Sequence, residues 1–189
     1  MGPLRTLAAI LAALCWTGTA ALAQSAKPRT VYVQVALAGE KPYPHALVIP
    51  AGSPLRLAST HETDIQARFL GRFTLSGAYR IEGSGEEMSL SFWPDGKSRA
   101  ALPHWEEREV PEEMYISNAS AFIQAVVSKD QLAKLEAKAV EAVSGEVTIV
   151  ADSYETSIEC DATSASARFV SVVKRPVQIA SVEKEVEAC

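Results

Sequence analysis

IQARFLGRFTLSGAYRI, residues 65–81, decides the class of this fold. Ile65, Ala67, Phe69, Gly71, Phe73, Leu75, Gly77, Tyr79 and Ile81 share one parity, with Gln66, Arg68, Arg72, Thr74, Ser76 and Arg80 among the residues between them. A period of two belongs to a strand with one face in a core. At ~3.4 Å per residue the run is long for one straight strand in a small domain. Gly71 or Gly77 is therefore expected to mark a bulge or bend.

The same logic extends in both directions. Glu82–Glu86 reads as a turn, and Met88, Leu90 and Phe92 resume the alternation, so Arg72–Ile81 is expected to form a hairpin with Glu87–Trp93. Upstream, Thr30–Leu37 alternates from Val31 to Leu37, and Ala46–Ile49 and Leu55–Ser59 read as short strands separated by Pro50–Pro54. Downstream, Pro94–Pro111 is rich in proline and charge and breaks the periodicity. Met114–Ile116 and Ala121–Val127 then return to strand composition.

One helix is expected near 129–143. Ser128 is a good N-cap with Gln131 three residues on, and Leu132, Leu135, Ala139, Val140 and Val143 form a stripe that ends at Ser144–Gly145. Glu146–Ala151, Tyr154–Cys160 and Ala165–Val173 read as a three-strand meander stopped by Pro176. The fold class is thus α+β and strand-dominated: antiparallel meander sheets, as a sandwich or partly open barrel, with one amphipathic helix.

Residues 1–23 have the three parts of a secretory signal: Arg5 as the only charge, an apolar run from Leu7 to Trp16, and the small-residue ending Ala21-Leu22-Ala23. Cys15 invites comparison with a lipidation site, but Leu14 is too bulky for the position before it. Cleavage after Ala23 leaves residues 24–189, enough for one domain with a sizeable core. A flexible tail, 24–29, is expected before a single β-rich domain, 30–189; a division into 30–127 and 128–189 is the alternative.

Export removes Cys15 and leaves Cys160 and Cys189, an even pair in an oxidising compartment, so a disulfide between them is expected. Closing that loop would stabilise the fold by ~3.6 kcal/mol in the chain-entropy model. The formal net charge of −5 becomes −6 without Arg5. With no long basic run to neutralise phosphates, nucleic-acid binding is not expected, nor is a membrane anchor once the signal is removed.

Catalytic patterns each fail at a definite position. His61-Glu62-x-Asp64 lacks the second histidine of a zinc protease, because Ile65 stands there. Gly83-Ser84-Gly85 lies in a hairpin turn and lacks the strand-to-helix setting of a nucleophile elbow. Gly96-Lys97-Ser98 resembles the end of a phosphate loop, yet Ser91 replaces its first glycine. No metal and no cofactor are expected. Asn118-Ala119-Ser120 matches the glycosylation pattern, which matters only in a host that glycosylates exported proteins.

The best binding candidates lie in the aperiodic stretch. Trp93, Arg99, His104, Trp105 and Tyr115 could stack a sugar or grip a partner's side chain, although tryptophans at such positions commonly cap a core and the Glu106–Glu113 run reads as a solvated face. The expectation is a non-catalytic exported protein, periplasmic or secreted, that binds an envelope protein or glycan. A small hydrolase with an assembled His and carboxylate site is the alternative.

Overall fold

The computed structural model describes residues 27–35, 43–61, 65–159, 162–174 and 179–183. The expected signal, Glu62, Asp64, Cys160 and Cys189 lie outside these residues.

The chain is strand-dominated, and its centre is a pair of long antiparallel strands. β4 (Ile65–Glu82) runs beside β8 (Val140–Glu159) from Ile65 opposite Ile158 to Glu82 opposite Ala142. The alternation of 65–81 is realised as read: Ala67, Phe69, Phe73, Leu75, Tyr79 and Ile81 are buried. Each end of the pair carries a further strand on each side. β3 (Arg56–Thr60) and β5 (Ser89–Pro94) lie along β4, while β9 (Ala162–Lys174) and β10 (Ile179–Glu183) lie along β8.

Gly71 bends this sheet. Leu70 faces Ser153 but Phe73 faces Ala151, so Gly71 and Arg72 together oppose the single residue Asp152. Gly71 has φ +141°, and a Cβ there would lie 2.5 Å from the Pro54 carbonyl oxygen. Only glycine accepts both the backbone conformation and the close approach. Gly77 serves differently: its φ is not positive, but a Cβ would meet the Trp93 carbonyl oxygen at 2.2 Å, so its absence lets β5 dock.

A second, three-stranded sheet is formed by β1 (Arg29–Val35), β2 (Tyr43–Ile49) and β6 (His104–Trp105), in the order β1-β2-β6. Val33, Leu47, Ile49 and Trp105 from this sheet share one buried cluster with Phe69, Leu75 and Ile149. The larger sheet curls further through β7 (Tyr115–Ile116), which pairs parallel to β9. Met114 N–H donates to the Phe92 carbonyl at 2.8 Å. The route β4-β8-β9-β7-β5 thus returns to β4 through one isolated bridge, a partly open barrel and not a closed one.

The expected strand at Ala121–Val127 is a helix instead. α2 (Ala119–Val126) buries Phe122, Ile123 and Val126, a spacing of one and four residues that fits a helical face. Phe122 fills the barrel mouth, meeting Tyr79, Phe92 and Phe169 edge-on at ring-centroid distances of 5.6, 6.1 and 5.5 Å. Asn118, before the helix, leaves the helix N-terminus uncapped by its side chain. Its amide pairs with β9: Phe169 N–H donates to Oδ1 at 2.8 Å and Nδ2 donates to the Phe169 carbonyl at 2.9 Å.

The expected helix over 129–143 is shorter. α3 (Lys129–Glu136) begins as read, with Gln131 N–H donating to Ser128 Oγ at 3.2 Å. It stops because Lys138 takes φ +56°, Lys138 N–H bonds the Leu135 carbonyl and Ala139 N–H reaches back to the Lys134 carbonyl. That is a Schellman termination with lysine where glycine is usual. Val140 and Val143 belong to β8, and the α-helices number three among the described residues once α1 (Gly96–Ala100) is included.

Candidate functional site

The aperiodic stretch 94–111 folds across the junction of the two sheets. α1 is anchored to the large sheet: Asp95 N–H donates to the Ser76 carbonyl at 2.8 Å, Ser76 N–H donates to Ser98 Oγ at 2.9 Å, and Ser98 N–H is capped by Asp95 Oδ1 at 2.7 Å. β6 is anchored to the small sheet, with Leu47 opposite Trp105, Val48 opposite His104, and Glu106 N–H donating to the Ala46 carbonyl at 2.8 Å. Between these anchors, Tyr154 of β8 donates its hydroxyl hydrogen to the Pro103 carbonyl at 3.0 Å. A loop held at three points is a stable mount for side chains.

An open cleft of about 470 Å³ results, lined by Gly96, Arg99 and Ala100 from α1 and by His104, Glu106, Glu107, Arg108, Glu109 and Val110. Its walls carry both signs of charge. Glu107 Oε2 lies 3.6 Å from Nδ1 of His45 on β2, and Arg99 Nη1 lies 4.0 Å from Glu112 Oε1. His104 Nδ1 is 3.2 Å from the Leu102 carbonyl. A carbonyl only accepts, so Nδ1 carries the proton in that contact and a neutral ring keeps its lone pair on Nε2.

Of the five residues singled out from sequence, Arg99 and His104 meet in this cleft. Trp105 is 1% exposed, packs edge-on against His45 and belongs to the core. Its β6 register turns the ring inward. Trp93 is half-buried on β5, and Tyr115 is 65% exposed on β7; neither lines the cleft. The glutamates read as a solvated face include three of its walls, Glu106, Glu107 and Glu109. Their sequence signal was only that they share the aperiodic stretch with Arg99 and His104.

His61 follows β3, its backbone N–H donating to the Gln66 carbonyl, and is not part of the cleft lining. Among the described residues, no three His, Cys, Asp or Glu side chains are grouped to hold a metal ion, and no helix is long and apolar enough to cross a membrane. The cleft lining contains no serine, threonine or cysteine.

The chain matches no protein-family model, and no curated protein or solved structure is significantly similar to it.

Proposed function

We propose that this chain is an exported, non-catalytic binding protein of the cell envelope, acting in the periplasm or after secretion, and that it engages a protein or glycan through the cleft between α1 and residues 104–110. The observation that carries the reading is the construction of that cleft. Arg99, His104 and Arg108 stand beside Glu106, Glu107 and Glu109 on a loop fixed to both sheets. Walls rich in donors and acceptors, with Ala100 and Val110 between them, suit a polar ligand such as a sugar chain or a charged peptide.

Export rests on residues 1–23, and the disulfide between Cys160 and Cys189 completes the proposal for an oxidising compartment. Mass spectrometry of protein recovered from its host tests both: an N-terminus at Gln24 and a linked Cys160–Cys189 peptide are expected. A diacylglyceryl group on Cys15 would overturn the localisation.

Binding is tested by thermal shift with peptidoglycan fragments, neutral oligosaccharides and short acidic and basic peptides. Comparison of the wild type with Arg99→Ala/His104→Ala gives the site. A probe that raises the melting temperature of the wild type and not of the double variant supports the cleft. Equal shifts in both proteins place binding elsewhere, and hydrolysis of a probe that disappears in His104→Ala would replace the binding reading with the hydrolase.

A further inference from the structure

Two of the sheet edges among the described residues are guarded. β3 is five residues long, is bulged between Leu57 and Ser59 and opens on Arg56. The outer edge of β9 past β7 has Asn118 bonded to Phe169, register shifts opposite Val150 to Tyr154, and the charges of Arg168 and Lys174. Short length, bulges, charges and side-chain caps are the means by which proteins stop strands from pairing with other chains.

β1 has none of them. All seven residues, Arg29 to Val35, pair with β2 in unbroken register, from Arg29 opposite Ile49 to Val35 opposite Tyr43. The strand has no proline, no bulge and no charge after Arg29. Among the described residues its other edge has no partner strand. Val33 is buried and Val31 packs against the core, while Tyr32 is 68% exposed on the opposite face.

We propose that the open edge of β1 pairs antiparallel with β1 of a second copy of this chain, about a two-fold axis through Tyr32. The sequence of the strand is complementary to itself in that register. Tyr32 meets Tyr32, Val31 meets Val33, Thr30 meets Gln34 and Arg29 meets Val35. Val31 and Val33 of each copy then extend the apolar face of the small sheet from three strands to six. The tyrosines form an aromatic cross-strand pair on the outer face, flanked by Thr30 and Gln34. No like charges meet. A slip of one residue would turn Thr30, Tyr32 and Gln34 toward the core side, so the pattern excludes odd registers. A two-fold contact closes both exposed edges at once, which pairing with a peptide does not do.

Sedimentation velocity over a range of protein concentrations tests this, with Tyr32→Lys and Tyr32→Cys variants. The wild type is expected to double its mass as concentration rises. Tyr32→Lys sets two ammonium groups opposite each other and is expected to raise the dimer Kd at least about tenfold. Its melting temperature when monomeric should match that of the wild-type monomer, because Tyr32 is exposed. Tyr32→Cys should yield, on mild oxidation, a covalent dimer joined through residue 32 of both copies. A wild type that stays monomeric at every concentration, or binds an extended peptide there instead, overturns the proposal. So does a dimer indifferent to Tyr32→Lys.

Discussion

Arg168 grips Asp152 with both prongs of its guanidinium, Nε to Oδ1 at 2.8 Å and Nη2 to Oδ2 at 2.7 Å, at the level where β4, β8 and β9 all lose register. Asp152 is the residue that faces the extra pair on β4, Gly71 and Arg72. The fork therefore links two strands where the ladder of backbone bonds is interrupted.

Arg168's hydrogen bond holds the Asp152 carboxyl below its ordinary range, with the charges of Arg168 and Arg72 assisting. A carboxylate depressed in the folded state contributes stability that is present above its unfolded pKa and lost as pH falls through the folded one. Arg168→Ala should return the Asp152 titration toward ordinary carboxylate values by NMR. The stability difference from wild type should be small, because the pair is largely exposed, and should vanish in acid.

Gly71→Ala should destabilise the protein by at least ~1–3 kcal/mol, since it combines a disfavoured backbone conformation with a Cβ pressed against the Pro54 carbonyl. Gly52→Ala is the control. Gly52 has φ +70° with nothing within 4 Å of the added atom, so only a backbone cost of ~1 kcal/mol applies. Urea denaturation of the two variants separates the clash from the strain.

Phe122→Ala should cost ~3–5 kcal/mol, the range for truncating a fully buried ring, because Tyr79, Phe92 and Phe169 all lose their common neighbour. A loss below ~1 kcal/mol would mean that α2 does not plug the barrel mouth.

The two buried tyrosines should respond oppositely to loss of the hydroxyl. Tyr79 OH is buried without a hydrogen-bond partner among the described residues, and burial pushes its pKa up to about 12. Tyr79→Phe is expected to be neutral or stabilising by up to ~1 kcal/mol, whereas Tyr154→Phe, which strips the Pro103 carbonyl of its donor, should cost ~0.5–1.5 kcal/mol. An acid whose folded pKa is raised keeps its full contribution below the unfolded value of 10.0 and loses it as pH climbs toward 12. Tyr79→Phe should therefore flatten the alkaline decline in stability over that window.

What could be read from sequence was whatever local periodicity dictates. The parity of residues 65–81 survives in the burial of Phe69, Leu75 and Tyr79 because a sheet with one apolar face tolerates no slip. Gly71 was legible for the same reason, and so was the Ser128 cap, which needs only Gln131. The end of α3 was not, since Lys138 in a left-handed conformation carries no glycine signal and the valines of β8 continue the helical spacing by coincidence. Phe122 and Ile123 look like strand residues until the opening between β5 and β9 exists for a helix to fill. At the cleft, Arg99 and His104 belonged visibly to an aperiodic stretch. The inward turn of Trp105 depended on pairing with Leu47, more than fifty residues earlier, which no local pattern encodes.

The central pair also sets an order of events for the nascent chain. β4 is complete at Glu82, but the strand it needs spans Val140–Glu159, so the first half of the domain must wait for most of the second with its apolar face uncovered. Pairings this distant in sequence fold slowly. A chain proposed to cross a membrane unfolded gains from that delay: beyond the short strands β3 and β5, its long strand has no partner until β8 has passed.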